Sequence, residues 1–132
     1  MYEQLVTLPK VSDRRGNLSF AENFNQIPFE IHRLYWIYDV PGGTERGGHA
    51  YKENIEFVIA LSGSFDVIID DGNRIEKVSL NRSYYGLLIP KMTWRKMTNF
   101  STNSLALVLS STEYNPHDYI RDYQDFLKVV KP

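Results

Sequence analysis

A chain of 132 residues supplies one hydrophobic core and no more, and its 42% hydrophobic and 23% charged residues are an ordinary globular balance, which excludes the disordered and fibrous classes. Fifteen Lys and Arg against sixteen Asp and Glu leave a net charge of −1, so there is no general attraction for nucleic acid or anionic membranes. The absence of cysteine removes disulfides, thiolate metal sites and a thiol nucleophile at once. Met1-Tyr2-Glu3-Gln4 lacks the basic and apolar stretches of a secretory signal. Apolar runs such as Phe57 to Leu61 are too short to cross a bilayer. The expectation is one cytoplasmic domain over residues 1–132, with no nucleic-acid or membrane partner. Nine Tyr, seven Phe and two Trp make 14% aromatics, which suits a ring-binding pocket, a plain β core or a subunit interface.

In chain order the pattern is one of short strands. Arg33 to Tyr38 is aromatic and β-rich and is ended by Pro41-Gly42-Gly43. Ile55 to Leu61 stops at Ser62-Gly63, and Phe65 to Ile69 leads into Asp71-Gly72, a dipeptide that favours a type I′ turn. Ile75 to Leu80 returns, with Ile75, Lys77 and Ser79 facing opposite to Glu76, Val78 and Leu80. Leu87-Leu88-Ile89 ends at Pro90, Thr93 to Thr98 is mixed, and Leu105 to Leu109 is apolar throughout. So many strands in so short a chain predict an all-β sandwich or barrel. The period then changes: Tyr119, Ile120, Tyr123, Phe126, Leu127 and Val130 recur at helical intervals. Asn115 as N-cap, Pro116 in the first helical position and Asp118 in the first turn complete the expectation of one C-terminal amphipathic helix.

Two spaced sets of residues carry the chemistry. Gly43, His49-Ala50-Tyr51, Glu56 and Gly63 form the first, and Pro90, Met92, Arg95 and Asn99 the second. In spacing these resemble the two motifs of the cupin barrels, which place His, His, Glu and His on facing strands around a metal. The resemblance implies a small jelly-roll barrel. Residues 49 and 51 share one strand face, so both look into the cavity, with Arg95 opposite. Only His49 and Glu56 of the four ligands are kept. An arginine is always charged and cannot coordinate a cation, so the expectation is a barrel with no metal and no cofactor. A histidine that titrates near neutrality and an arginine that holds a developing enolate are tools for proton abstraction beside a carbonyl. The plainer alternative is a hydrogen-bonded core histidine and a tyrosine filling the β core.

The resemblance narrows further. Arg15-Gly16, Ile27-Pro28-Phe29, Arg33-Leu34-Tyr35, Arg46-Gly47-Gly48-His49-Ala50, Leu61-Ser62-Gly63-Ser64, Trp94-Arg95 and Tyr119-Ile120-Arg121-Asp122-Tyr123 are similar to segments of the dTDP-4-keto-6-deoxyglucose 3,4-ketoisomerases. That family implies a dTDP-linked sugar substrate, a metal-free cupin fold, a homodimer with exchanged strands and a role in deoxy-amino-sugar assembly. It implies catalytic roles for His49, Tyr51 and Arg95, and substrate binding by Tyr35 and Arg46; Arg15 joins the substrate-binding set because a pyrophosphate favours guanidinium forks. Tyr51 stands where the family has its second histidine. Two other readings stay open: a sugar-nucleotide-binding cupin without turnover, and an epimerase or isomerase on another nucleotide sugar.

Overall fold

A computed structural model describes residues 4–132, so the reading of Met1, Tyr2 and Glu3 lies outside the described residues. Among the described residues twelve strands follow one another: β1 Leu5–Thr7, β2 Lys10–Asp13, β3 Gly16–Ser19, β4 Arg33–Ile37, β5 Arg46–Tyr51 and β6 Glu56–Ser62. Then come β7 Phe65–Asp70, β8 Ile75–Leu80, β9 Tyr85–Ile89, β10 Trp94–Thr98, β11 Leu105–Ser110 and β12 Tyr119–Ile120, with α1 at Tyr123–Val130. Two five-stranded sheets, ordered β1-β9-β6-β11-β4 and β12-β5-β10-β7-β8, face each other as an antiparallel jelly roll. The hairpin β2-β3 belongs to neither. The bounds of β4 and of β6 to β11 fall within two residues of the sequence pattern, and β8 coincides with it, whereas β1, β2, β3 and β12 are strands that the pattern does not announce.

Strand alternation decides what lies between the sheets. Ile37, Val58, Ala60, Val67, Ile69, Val78, Leu80, Leu87, Met97, Ala106 and Val108 meet there as one buried cluster. Toward one end, the same inward rows turn polar. Val58 is preceded on β6 by Glu56, Ile37 on β4 by Tyr35 and Arg33, and Met97 on β10 by Arg95. The core therefore occupies one end of the barrel and a cavity the other.

On the outer side of the first sheet, Phe57, Ile59 and Leu109 are sealed by Ile27 and Phe29. This is why β6 reads as a continuous apolar run rather than an alternating one. On the outer side of the second sheet, α1 packs Phe126 against Ala50 and Ile120.

The C-terminal helix is shorter than the periodicity predicts. Asn115 caps through its side chain, but only a single 3-10 turn, Pro116–Asp118. Asp118 is buried, and its carboxylate accepts the backbone N–H groups of Glu53 and Asn54 at 2.7 and 3.1 Å. That anchor pulls the next two residues onto the sheet edge, where Tyr119 pairs with Tyr51 and Ile120 with Ala50. The helix starts only afterwards, with Asp122 accepting from the Asp125 N–H as its cap. The β7-β8 connection also differs from the type I′ expectation. It is a four-residue loop, 71–74, in which Asp71 accepts from the N–H groups of Asn73 and Arg74. A type I′ turn needs two residues of positive φ, and only Gly72, at +96°, has one.

The backbone supports the second motif at its most irregular place. Met92 and Asn99, with φ of +58° and +57°, sit in the left-handed region. The cupin motif puts glycine and asparagine, the two residue types that enter this region most readily, at those seats.

Candidate active site

A cavity of about 480 Å³ at the polar end is lined by Arg33, Tyr35, Arg46, His49, Tyr51 and Arg95, and at its mouth by Tyr114, Tyr119 and Arg121. Strand register builds it. His49 on β5 pairs with Arg95 on β10, and Tyr51 pairs with Tyr119 on β12. All four side chains emerge on the inner face.

Its floor is a closed polar network. The guanidinium of Arg95, 1% exposed, gives Nε and Nη2 to Oε1 of Glu56, itself 1% exposed. Nη2 also donates to the Tyr35 hydroxyl at 2.8 Å, and Nη1 to the Gly47 carbonyl at 3.3 Å. Tyr35 in turn donates to Oε2 of Glu56 at 2.5 Å. Four of the five N–H groups of Arg95 are thereby occupied. Burial disfavours charge on Arg95, but Glu56 more than compensates, so its pKa rises and the arginine stays ionised. The Tyr35 phenol is pushed well above its ordinary value, first by burial. Gly47 makes this packing possible. At φ +75° a Cβ there would stand 2.2 Å from Nη1 of Arg95, a clash with a side chain that cannot move aside.

Above the floor stand His49 and Tyr51, their rings edge to face with centroids 4.9 Å apart. Nε2 of His49 is buried with no hydrogen-bond partner among the described residues. Burial, then the charges of Arg95, Arg121 and Arg33, lower its pKa to about 3, so the imidazole is neutral across the physiological range. A buried nitrogen left without a partner carries a desolvation cost that a ligand bound in the cavity relieves. Tyr51 donates to the Tyr119 hydroxyl at 3.3 Å. Its pKa is raised, first by burial and then by Glu56, so the phenol is a proton donor and not a base.

Five of the six residues singled out by sequence line the cavity: Tyr35, Arg46, His49, Tyr51 and Arg95. Arg15 does not. It lies at the turn of the β2-β3 hairpin, its side chain 91% exposed and paired with Asp13 at 2.8 Å. Arg95, read from sequence as a holder of an enolate, has its charge balanced by Glu56 and keeps one N–H uncommitted. Sequence reasoning missed Arg33, Tyr114, Tyr119 and Arg121. Period-2 spacing from Tyr35 would have found Arg33. Tyr119 and Arg121 were hidden by the expectation of a helix.

Fold and site together define a cupin whose cavity is equipped for acid–base chemistry on an anionic ligand. The family described as FdtA: WxcM-like, C-terminal, matches residues 1–131. A TDP-4-oxo-6-deoxy-alpha-D-glucose-3,4-oxoisomerase from Aneurinibacillus thermoaerophilus is 38% identical over 130 residues, 98% of this chain and 94% of that one. A crystal structure of a 3,4-ketoisomerase from Helicobacter canadensis is 41% identical with a TM-score of 0.95, covering 100% of both chains. A sugar 3,4-ketoisomerase, QdtA, from Thermoanaerobacterium thermosaccharolyticum, solved in complex with TDP, is 32% identical with a TM-score of 0.95, over 99% of this chain and 97% of that one. The chain belongs to this family of sugar 3,4-ketoisomerases.

Proposed function

We propose that this protein moves the keto group from C4 to C3 of a TDP-linked 4-keto-6-deoxyhexose through an enediol, with His49 as the base. The observation that carries the reading is a neutral His49 that lines the cavity with its Nε2 unpartnered among the described residues, in a chain that belongs to this family. Neutral imidazole takes the C3 proton, which the adjacent C4 carbonyl acidifies. The enediolate that forms needs a donor for its oxygen, and Tyr51, which holds its proton tightly, supplies one. A proton passes from the C3 hydroxyl to the C4 oxygen, and return of a proton to C4 then completes the transfer, with no net change in atoms or electrons. Tyr35 and Arg46 bind the substrate, and Arg95 fixes the potential of the floor and offers its remaining N–H.

The donors of the cupin metal seat do not suit a cation. Glu56 is held by Arg95 and Tyr35, Tyr51 is a protonated phenol, and the Arg95 charge would repel a metal. The protein accordingly works without one, and its turnover persists in the presence of a chelator.

Its working form is a homodimer. The outer face of the first sheet exposes Leu34 and Trp36 by 52% and 55%, and the β2-β3 hairpin exposes Val11 and Leu18 by 57% and 59%. Strand β4 is a sheet edge with nothing paired beyond it among the described residues. A second copy whose hairpin lies on that edge covers both. In such an exchange Arg15 serves the partner's cavity, which accounts for its distance from its own. Sedimentation at micromolar concentration yields twice the chain mass; a monomer overturns this assembly.

The isomerase itself is tested with TDP-4-keto-6-deoxyglucose in deuterated water. NMR shows deuterium at a sugar carbon and a 3-keto product. Binding without exchange would mark a non-catalytic sugar-nucleotide-binding protein instead, and exchange with a different product another isomerase or epimerase.

A further inference from the structure

We propose that the Tyr119 hydroxyl relays protons between Tyr51 and the water at the cavity mouth, so that Tyr51 gives a proton and regains one without ionising. The proposal rests on the isomerase reading above and makes Tyr119 a positioning residue that acts through Tyr51.

A file of side chains runs from the floor of the cavity to its mouth. The Arg95 guanidinium lies 5.7 Å from the centre of the Tyr51 ring. The rings of Tyr51 and Tyr119 have centroids 4.7 Å apart, and those of Tyr119 and Tyr114 6.0 Å apart. Arg95 and Tyr51 are buried, Tyr119 is half-buried and Tyr114 is exposed. Tyr119 is therefore the point at which the file reaches water. Its hydroxyl accepts from that of Tyr51 at 3.3 Å. This is longer than a relaxed O–H···O bond of about 2.7–2.8 Å, as catalytic hydrogen bonds often are before substrate binds.

The pairing is set by the backbone. Tyr51 and Tyr119 stand directly opposite each other on β5 and β12, so their side chains emerge as neighbours. The buried carboxylate of Asp118 holds the N–H groups of Glu53 and Asn54, and its carbonyl accepts the Lys52 N–H at 2.9 Å. The Tyr119 ring is fixed in turn by His49, with centroids 5.0 Å apart, and by the Arg121 guanidinium at 4.1 Å from its centre. Tyr35, the other phenol beside the floor, cannot take this part. It donates to Glu56 and accepts from Arg95.

A hydroxyl oxygen donates and accepts at once, so two phenols in contact pass protons in either direction. As His49 takes the C3 proton, Tyr51 gives its proton to the C4 oxygen, Tyr119 gives its own to Tyr51, and water replaces it. As His49 returns a proton to C4, the C3 hydroxyl gives its proton to Tyr51, and one leaves through Tyr119 to the same water. The two oxygens of a cis-enediol are neighbours, so one phenol serves both. One proton enters and one leaves, both phenols end as they began, and the net result is transfer from the C3 hydroxyl to the C4 oxygen. A phenolate buried at Tyr51, which would be costly, never forms.

The test is kinetic, with TDP-4-keto-6-deoxyglucose as substrate. The wild type, Tyr51→Phe, Tyr119→Phe and the double variant are assayed in water and in mixtures of H2O and D2O. Tyr119→Phe keeps the ring against His49 and Arg121, so its melting temperature stays at the wild-type value. The expected result is a kcat lowered by about 10-fold in Tyr119→Phe, below the contribution of a direct acid or base, with KM unchanged. The double variant is no slower than Tyr51→Phe, because a chain is broken only once. The wild-type kcat falls along a curve as the deuterium fraction rises, since several protons move together, and along a straight line in Tyr119→Phe. A merely structural tyrosine would move neither the coupling nor the curvature. Turnover of Tyr119→Phe within about twofold of wild type, losses that multiply in the double variant, or curvature that survives in Tyr119→Phe overturns the relay. A 3-keto product from the wild type then leaves the isomerase reading standing without it. If the wild type forms no such product, both fall.

Discussion

The floor and the mouth of the cavity are built from the same residue types in opposite states. At the floor Arg95, Glu56 and Tyr35 exchange hydrogen bonds until almost every donor is taken. At the mouth Arg33, Arg46 and Arg121 have no carboxylate partner among the described residues, and neither has Nε2 of His49, between the two regions, a hydrogen-bond partner among them. A satisfied buried network is rigid and belongs to the protein, whereas unsatisfied groups lining an opening belong to a ligand. The same contrast separates Arg95 from its neighbours: its position on a motif suggested substrate contact, and its partners make it part of the scaffold.

Breaking the floor has the largest consequence for the fold. Glu56→Gln keeps the shape but leaves Arg95 buried with its charge uncompensated, a change that typically costs about 3–5 kcal/mol. Chemical denaturation should show a loss of this size. A variant as stable as wild type would mean that Arg95 reaches water.

The pH profile sharpens the comparison without any substitution. Protonated His49 is inactive as a base, and the folded protein resists protonating it until about pH 3. The kcat/KM profile, which reports the free enzyme, therefore stays level as pH falls through about 6.5, where an ordinary imidazole titrates. Stability has the same origin. The unfolded chain takes up this proton below about pH 6.5 and the folded one does not, so stability is lost as pH falls through that window toward 3. An acid limb centred near the ordinary value would show His49 exposed to solvent.

The smallest effect is expected at Tyr51→Phe, which keeps the ring between His49 and Tyr119 and removes only the hydroxyl. The loss of turnover should stay below about 10²-fold, the lower end of general acid–base contributions, because water replaces the phenol as a slower proton source. Tyr51→His is tolerated, since the position faces the same cavity.

Local patterns made most of the architecture legible. Alternation in Ile75–Leu80 set Val78 and Leu80 on one face, which the structure buries, and the spacing of His49, Tyr51 and Arg95 put them in one cavity. What failed depended on distant partners. Helical periodicity after Tyr119 was genuine from Tyr123 onward, but the Asp118 carboxylate, gripping the N–H groups of Glu53 and Asn54, held Tyr119 and Ile120 on the sheet. No local signal records that. Arg15 shows the converse: a motif match identifies a residue type, and the fold of one chain leaves it on an exposed hairpin.

The account depends most on His49 acting as the base on a substrate that the rest of the cavity holds. His49→Asn, assayed with TDP-4-keto-6-deoxyglucose in deuterated water, separates chemistry from binding. The prediction is a fall in kcat of about 10²- to 10⁴-fold, loss of deuterium incorporation at the sugar, and TDP affinity nearly unchanged. Near-normal turnover and exchange in His49→Asn, with Tyr51→Phe inactive, would contradict it and make Tyr51 the base.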